Sequence, residues 1–502
     1  MTSEALQKAR DYEERYSAFI RSEDRPVFHL SPRIGWMNDP NGFSLYQGKY
    51  HLFYQYHPYS TQWGPMHWGH VISEDMLRWT YLPAAIAPDQ EYDKSGCFSG
   101  SALELDDGRQ LLMYTGVREN RAEDGTRKAY QTQCMAIGDG LDYEKCGCNP
   151  VLAQKDIPAG FSLNDFRDPK IFRNSDGSYG CVLGNRTEDG SGAILLYTSD
   201  DGMNWRFVTI LDRSYNEYGK MWECPDFFAL DGSHVLLTSP QDMSQVGLEF
   251  HNGNGTVCLI GSFDRQKRQF ERQRLQAVDY GIDFYAPTTI LTPDGRRVMI
   301  GWMQNWDACQ NAGRKDLLWY GQMSLPRELF LRSGRLYQRP IRELEEHRSR
   351  RVSYENVRVD GELRLPGVEG RMVDMEITIR PAPGCVYHKF EIRFMEDERF
   401  FTKLSYRPHE SILRIDRKFS GSRRAYIHQR RALVPNRGGE LKLRMILDRY
   451  SVEVFLNDGE QTVTATVLTD LSATGISFFA EGQVEMDIDK YDLFQEVSRE
   501  KV

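Results

Sequence analysis

WMNDPNGFSLYQGKYHLFYQY, residues 36–56, reads as two strands joined at a tight turn. Gly48 marks the turn, and an apolar run over 50–54 follows it. The same arrangement returns at Gly108, Gly177, Gly232 and Gly295, each followed by a strand-like run, at 111–114, 179–183, 234–237 and 298–302. Asp107-Gly108, Asp176-Gly177, Asp231-Gly232 and Asp294-Gly295 are hairpin signals. A strand–turn–strand repeat of 55–70 residues predicts radially stacked four-stranded sheets, a propeller. Five units and no sixth predict five blades.

The phase of the repeat carries the functional reading. Nine residues before the five glycines stand Asp39, Ser99, Asp168, Glu223 and Ala286. The three acids sit in distinctive words, WMNDPNG (36–42), FRDPK (166–170) and WECPD (222–226). Equivalent positions of successive blades surround one axis, so carboxyl groups far apart in sequence are expected to converge in a funnel. Each acid has a plainer reading. Asp39 before proline suits an Asx-turn, Glu223 suits a surface, and Asp168 suits a structural pair with Arg167. The shared phase favours a site. Cys224 is expected to point away from Glu223 by strand alternation and to serve packing, with Trp222 as an apolar wall for the acid. Trp36, Trp63, Trp68 and Phe98 offer flat faces for a sugar. Asn38, Gln55 and Ser99 offer directional hydrogen bonds. Gln55 and Trp302 share a phase after their turns and are expected to rise toward the site, as is Trp306.

Composition narrows the class. The chain has 502 residues, enough for two cores. Lys+Arg total 63 against 72 Asp+Glu, a net charge of −9, which argues against nucleic acid as partner. The cluster Arg423, Arg424, Arg430 and Arg431 reads as solvated. The first residues lack the apolar core of a signal peptide, no run reaches membrane-span length, and the nine cysteines form no CxxC pair. Reduced thiols and a cytoplasmic location are the expectation. His57, His67 and His70 crowd one loop, but the central acids come without histidines at ligand spacing, so no metal and no cofactor are expected.

Residues 1–30 read as an N-terminal helical segment, with apolar positions over 4–20 on one face. The propeller is assigned to 31–340. IRELEEHRSRRV (341–352) reads as a charged linker. From 353 to 502, alternating strands at 441–446, 452–456, 476–480 and 484–488 predict a β-sandwich, whose edges would permit oligomerisation. The fold class is all-β.

With these words in order, the chain resembles glycoside hydrolase family 32, the invertases, fructanases and sucrose-6-phosphate hydrolases. The resemblance rests on WMNDPNG, FYQYHP (53–58), WGPMHWGH (63–70), FSGS (98–101), RDP, WECPD and FYAP (284–287), and SVEVFLNDG (451–459) extends it into the second domain. It implies a propeller followed by a sandwich and retaining hydrolysis of terminal β-fructofuranosides such as sucrose and short fructo-oligosaccharides. Asp39 would be the nucleophile, Glu223 the acid/base and Asp168 the residue that binds fructosyl hydroxyls. Trp36, Asn38, Gln55, Trp63, Phe98, Ser99 and Arg167 would line the fructose pocket, with Tyr285 and either Trp302 or Trp306 beside them. Sucrose 6-phosphate as substrate, fructosyl transfer and a non-catalytic carbohydrate-binding protein are the competing functions. The rim residues Arg118, Arg121, Arg127 and Lys128 lie in a stretch of mixed charge, which favours neutral sugars.

Overall fold

The computed structural model describes residues 2–121, 127–309, 317–421 and 427–494. Arg423 and Arg424 of the basic cluster lie outside them. Five antiparallel sheets of four strands stand around an axis. Their innermost strands are Gly35–Tyr46, Gly96–Glu104, Arg167–Arg173, Met221–Leu230 and Tyr285–Leu291. In each blade the chain proceeds outward strand by strand. The fifth blade is interrupted after Arg297–Trp302, and the intervening chain lends Trp319–Tyr320 to the first blade, parallel to Gly35 and Trp36. This contact ties the last blade to the first, closes the ring and covers part of the first blade's inner edge.

Apolar side chains fill the spaces between blades. Leu111, Met113, Phe166, Ile171, Leu183 and Leu195 form one such layer, between the second and third blades. Each side chain of this kind removed from water contributes about 1.5–3 kcal/mol. Trp222 belongs to a similar layer, fully buried against Gly184 and Gly192, where an added Cβ would come within 2.3 and 2.5 Å of it. It therefore packs between blades instead of walling Glu223.

The N-terminal helix runs over Glu4–Ser17, capped by Ser3, whose Oγ accepts the Leu6 N–H. It stops short of residue 20. After the last propeller strand, Arg335–Pro340, a 3₁₀ turn spans Arg342–His347 with Leu344 buried, and the next strand starts at Arg348, inside the stretch read as a linker. The sandwich is one continuous ladder. The runs read as separate strands at 476–480 and 484–488 are one strand, Gly475–Leu493. Its first part pairs with Tyr387–Glu396 and its second with Val373–Pro381. Gly482, at φ +96°, sits where the partner changes, so the two layers share this strand.

Propeller and sandwich meet through buried charges. Arg327 is fully buried; its Nε donates to Glu453 Oε2 at 2.8 Å, and its Nη1 donates to Asp279 at 3.0 Å. His29 bridges Asp448 and Glu453, at 2.9 Å from each ring nitrogen. Asp448 also accepts the backbone N–H groups of Val27, Phe28 and His29. Burial pushes His29 down, but the two carboxylates outweigh it and hold the imidazole up at about 9. Because the folded value exceeds the unfolded one, this stabilisation is complete below pH 6.5 and is lost as pH rises through about 9. His29→Ala is expected to lower the melting temperature by several degrees at pH 6.5, with the gap to wild type shrinking toward pH 10. A gap that stays constant across that range would mean that His29 is neutral in the fold.

Candidate active site

At one mouth of the ring all five inner strands lose register with their neighbours. The ladder breaks between Met37 and Pro40, Phe98 and Gly100, Arg167 and Lys170, Glu223 and Asp226, and Tyr285 and Thr288. A bulge of this kind bends the strand and re-aims its side chains. In three consecutive blades the bulged residue has a left-handed backbone: Asp168 at φ +64°, Cys224 at +47° and Ala286 at +49°. A proline follows each.

This alignment corrects the phase read from the turn glycines. Cys224, not Glu223, is the structural equivalent of Asp168. Eight residues separate Cys224 from Gly232, whereas nine separate Asp168 from Gly177, because the fourth blade's hairpin is one residue shorter. Glu223 is equivalent to Arg167 and Tyr285, the last paired residues before the bulge. Two tiers result. In one, Arg167, Glu223 and Tyr285 of successive blades touch in a row. Arg167 donates to Glu223 Oε1 from Nη2 at 2.9 Å and from Nε at 3.1 Å, and the Tyr285 hydroxyl lies 2.6 Å from Oε2 and 3.0 Å from the Ser239 carbonyl. In the other, Cys224 stands between the aspartates. Its backbone N–H donates to Asp168 Oδ2 at 2.9 Å, and its Sγ is 3.6 Å from both Asp39 Oδ2 and Asp168 Oδ2. The thiol therefore faces the acids, opposite to the alternation expectation, because the bulge interrupts the alternation. Ser99 donates to Asp39 Oδ2 at 2.7 Å, and Asp39 Oδ1 is buried without a hydrogen-bond partner.

The two tiers border a cavity of about 370 Å³. Asn38, Asp39, Gln55, Ser99, Arg167, Asp168 and Glu223 face it, with Trp63, Phe98 and Trp306 as its aromatic walls. Trp63 is half exposed and meets Phe98 edge-on. Trp36 and Trp302 are not on the wall. Trp302 is fully buried behind Trp306, ring centroids 4.9 Å apart, and Trp36 stacks on Tyr320 at 5.0 Å while its Nε1 donates to Asn38 Oδ1. The tryptophan rise inferred from phase fails because Trp302 precedes a chain reversal that turns Trp306 over it. Tyr285 is also buried and reaches the site through its hydroxyl alone.

Several contributors escaped the sequence reading. Thr115 accepts the Asp168 N–H at 2.9 Å, and Gln131 accepts the Phe166 N–H at 2.9 Å and lies 3.3 Å from Arg167 Nη1. Gln133 donates to the Phe166 carbonyl. These three sit on the second blade's outer strands and hold the 166–168 segment. Asp242 and Asn254 line the cavity's outer side. Thr115 stands seven residues after Gly108, the phase of Gln55 and Trp302, and that signal could have found it; Gln131, Gln133, Asp242 and Asn254 lie at no repeat-phase position.

Burial raises Asp39, and the Glu223 charge adds to this; Asn38 and Ser99 oppose it. Burial also raises Asp168, up to about 7, with Glu223 and Asp39 adding repulsion and Arg167 opposing. Cys224 is pushed far up by burial and by the acids around it, so it stays a thiol. Among the described residues no group of His, Cys, Asp and Glu is arranged to hold a metal ion.

The family model for the glycosyl hydrolase family 32 N-terminal domain matches residues 29–340, and that for the family's C-terminal domain matches 343–495. The chain belongs to glycosyl hydrolase family 32. It is 37% identical over 466 residues to a raffinose invertase of Escherichia coli, covering 91% of this chain and 92% of that one. It is 34% identical over 462 residues to a sucrose-6-phosphate hydrolase of the same organism, covering 91% of both. A GH32 beta-fructofuranosidase of Bombyx mori superposes with a TM-score of 0.80 at 32% identity, covering 97% of this chain and 98% of that one. The family 32 chain is a glycoside hydrolase, and among its described residues no helix is long and apolar enough to cross a membrane.

The buried acids of this family 32 site have a stability consequence. Asp168 has a folded value above its unfolded one, so its contribution favours folding below about pH 4 and is lost as pH rises through about 7. Asp168→Asn removes that loss. The variant is expected to gain a few degrees of melting temperature on wild type between pH 4 and pH 8, at the expense of activity. Parallel melting curves for the two proteins over this range would refute the charge argument.

Proposed function

We propose that the protein is a retaining beta-fructofuranosidase, releasing fructose from the non-reducing end of sucrose and short β-fructo-oligosaccharides. One observation carries the reading. Asp39 and Glu223 face the same cavity with opposite hydrogen-bond surroundings. Asp39 has one oxygen fixed by Ser99 and the other uncommitted, as suits a nucleophile aimed at an anomeric carbon. Glu223 has Oε1 anchored by Arg167 and Oε2 against a hydroxyl that serves either proton state. When Glu223 is ionised, Tyr285 donates to it. When Glu223 is protonated, Oε2 donates to Tyr285, which turns its own proton to the Ser239 carbonyl.

The chemistry follows in two displacements. Asp39 attacks the fructosyl anomeric carbon while Glu223 gives its proton to the glycosidic oxygen, and the bond to the leaving sugar breaks. Glu223, now a carboxylate, takes a proton from water, whose oxygen displaces Asp39 and frees fructose. In this reading Asp168 and Asn38 accept and donate hydrogen bonds at the fructosyl hydroxyls. All three acids are present, which speaks against a protein that only binds carbohydrate. Asp39→Asn is expected to lose turnover by several orders of magnitude with KM little changed. Glu223→Ala is expected to cleave sucrose equally poorly but to retain fructosylation by an activated aryl fructoside, with azide accelerating the second step. Equal loss on both substrates and no azide effect would remove Glu223 from the acid/base role.

The walls favour neutral substrates. Arg167 is the sole basic residue on the cavity among the described residues, and it is engaged by Glu223 and Asp165. Asp242 adds an exposed carboxylate to the same rim. Of the basic rim residues, Arg118 lies over Tyr130 and 3.7 Å from Glu91, and the Arg121 and Arg127 side chains fall outside what the structure describes. Sucrose is expected to exceed sucrose 6-phosphate in kcat/KM, and Asp242→Asn to narrow the ratio at low salt. A preference for the phosphorylated sugar that fades as salt rises would overturn this choice.

A further inference from the structure

The larger cavity of the propeller is not the one that holds the acids. At the opposite mouth, the far ends of all five inner strands border a cavity of about 660 Å³. The two are separated by a narrow waist where Pro40, Pro169, Pro225 and Pro287 approach the axis. Lys170 reaches from this waist into the lower cavity, its Nζ 2.9 Å from Asp226 and 2.7 Å from Thr288 Oγ1.

We propose that this lower cavity is a second ligand site, for a small phosphorylated sugar. Five cations face it, Lys170, Arg173, Arg265, Arg268 and Arg297, against three acids, Glu104, Asp176 and Asp226. This is a positive surface on a chain of net charge −9. Two of the cations are spent: Lys170 on Asp226, and Arg173 on Asp106 at 2.6 Å. Arg265, Arg268 and Arg297 are not ion-paired among the described residues; Arg265 donates only to Ser175 Oγ, at 3.1 Å.

Arg297 is the decisive group. Its guanidinium lies over the Phe228 ring at 4.5 Å, its one hydrogen bond is a 3.4 Å contact with Thr289 Oγ1, and its Nε is buried without a partner. Asp226, which would neutralise it, is already held by Lys170 and by the Thr289 N–H at 2.7 Å. A partly buried guanidinium without a direct ion pair is costly. A bidentate oxyanion is the partner its geometry suits. Burial lowers the Arg297 pKa and the nearby Asp226 charge offsets this only in part, whereas the ion-paired Arg167 and Arg327 are raised. Phe227 and Phe228 are buried in the remaining walls, and the partly exposed Phe172 and Phe263 are the aromatic side chains open to the apolar face of a sugar ring. The volume admits a hexose phosphate and exceeds what inorganic phosphate fills.

The test is calorimetric titration of the full chain with glucose 6-phosphate and, separately, with inorganic phosphate, each in saturating fructose so that the catalytic cavity is blocked. Glucose 6-phosphate is expected to bind with one site per chain and more tightly than phosphate. Arg297→Gln is expected to weaken it about tenfold or more, the loss of one charge-assisted pair. The double variant Arg265→Gln/Arg268→Gln, at exposed positions that leave the fold intact, is expected to weaken it too, with kcat on sucrose unchanged in the absence of phosphate compounds. Phosphate binding as tightly as the sugar phosphate would overturn the sugar assignment. No binding of either probe, or binding that fructose displaces and both variants retain, would overturn the site.

Discussion

Every inner strand of the ring opens its ladder at the same level, and the chemistry depends on that shared break. A regular strand would send successive side chains to alternate faces, between blades and not along the axis. The bulges at 38–39, 99, 168–169, 224–225 and 286–287 release one or two residues per blade from pairing and turn them to the mouth. Because the break is common to all blades, two tiers of equivalent positions meet. The residues before the break supply Arg167, Glu223 and Tyr285, in contact from blade to blade. The residues at the break supply Asp39, Asp168 and Cys224. A general acid and a nucleophile with different surroundings arise from two neighbouring levels of one repeat.

The second constraint is charge. Asp39, Asp168 and Glu223 share the inner cavity with one guanidinium, so full ionisation would leave two uncompensated negative charges there, and Asp242 adds another at the rim. The fold answers with neutral donors at fixed positions: Ser99 on Asp39, the Cys224 N–H on Asp168, and Tyr285 on Glu223. Burial still holds Asp39 and Asp168 above the usual carboxylate range. The left-handed backbones at Asp168 and Cys224 belong to the same strained arrangement. The cost is met by the apolar layers between blades.

The sandwich is fastened to the propeller by a polar core. Arg327 on the fifth blade joins Glu453 of the sandwich to Asp279 after the fourth blade, His29 before the first blade bridges Glu453 and Asp448, and Asp283 takes Arg417. Charges buried in this way demand matched partners and tolerate no sliding. The contact lies where the ring closes, so the sandwich braces the junction between last and first blades.

Much of this was legible without coordinates. Five turn glycines, four of them in Asp-Gly pairs, recurring every 55–70 residues declared the blades, and the acid-proline words marked which strand ends would meet, since proline cannot continue a ladder. The resemblance of the motifs to family 32 named the chemistry. The finer geometry was not legible. Counting from turn glycines misplaced Glu223 by one level, because a hairpin can lose a residue without changing its composition. The direction of Cys224 follows from its bulge, and the retreat of Trp36 and Trp302 behind Trp306 and the support of Gln131 and Gln133 follow from contacts between blades, which leave no period in the chain. The sequence by itself determined the repeat, the residues able to do acid–base work and their number, because these are set by local pattern and residue type. Only the tertiary structure decided which oxygen each donor reaches and which side chains face the cavity, because those depend on where separate blades bulge relative to one another.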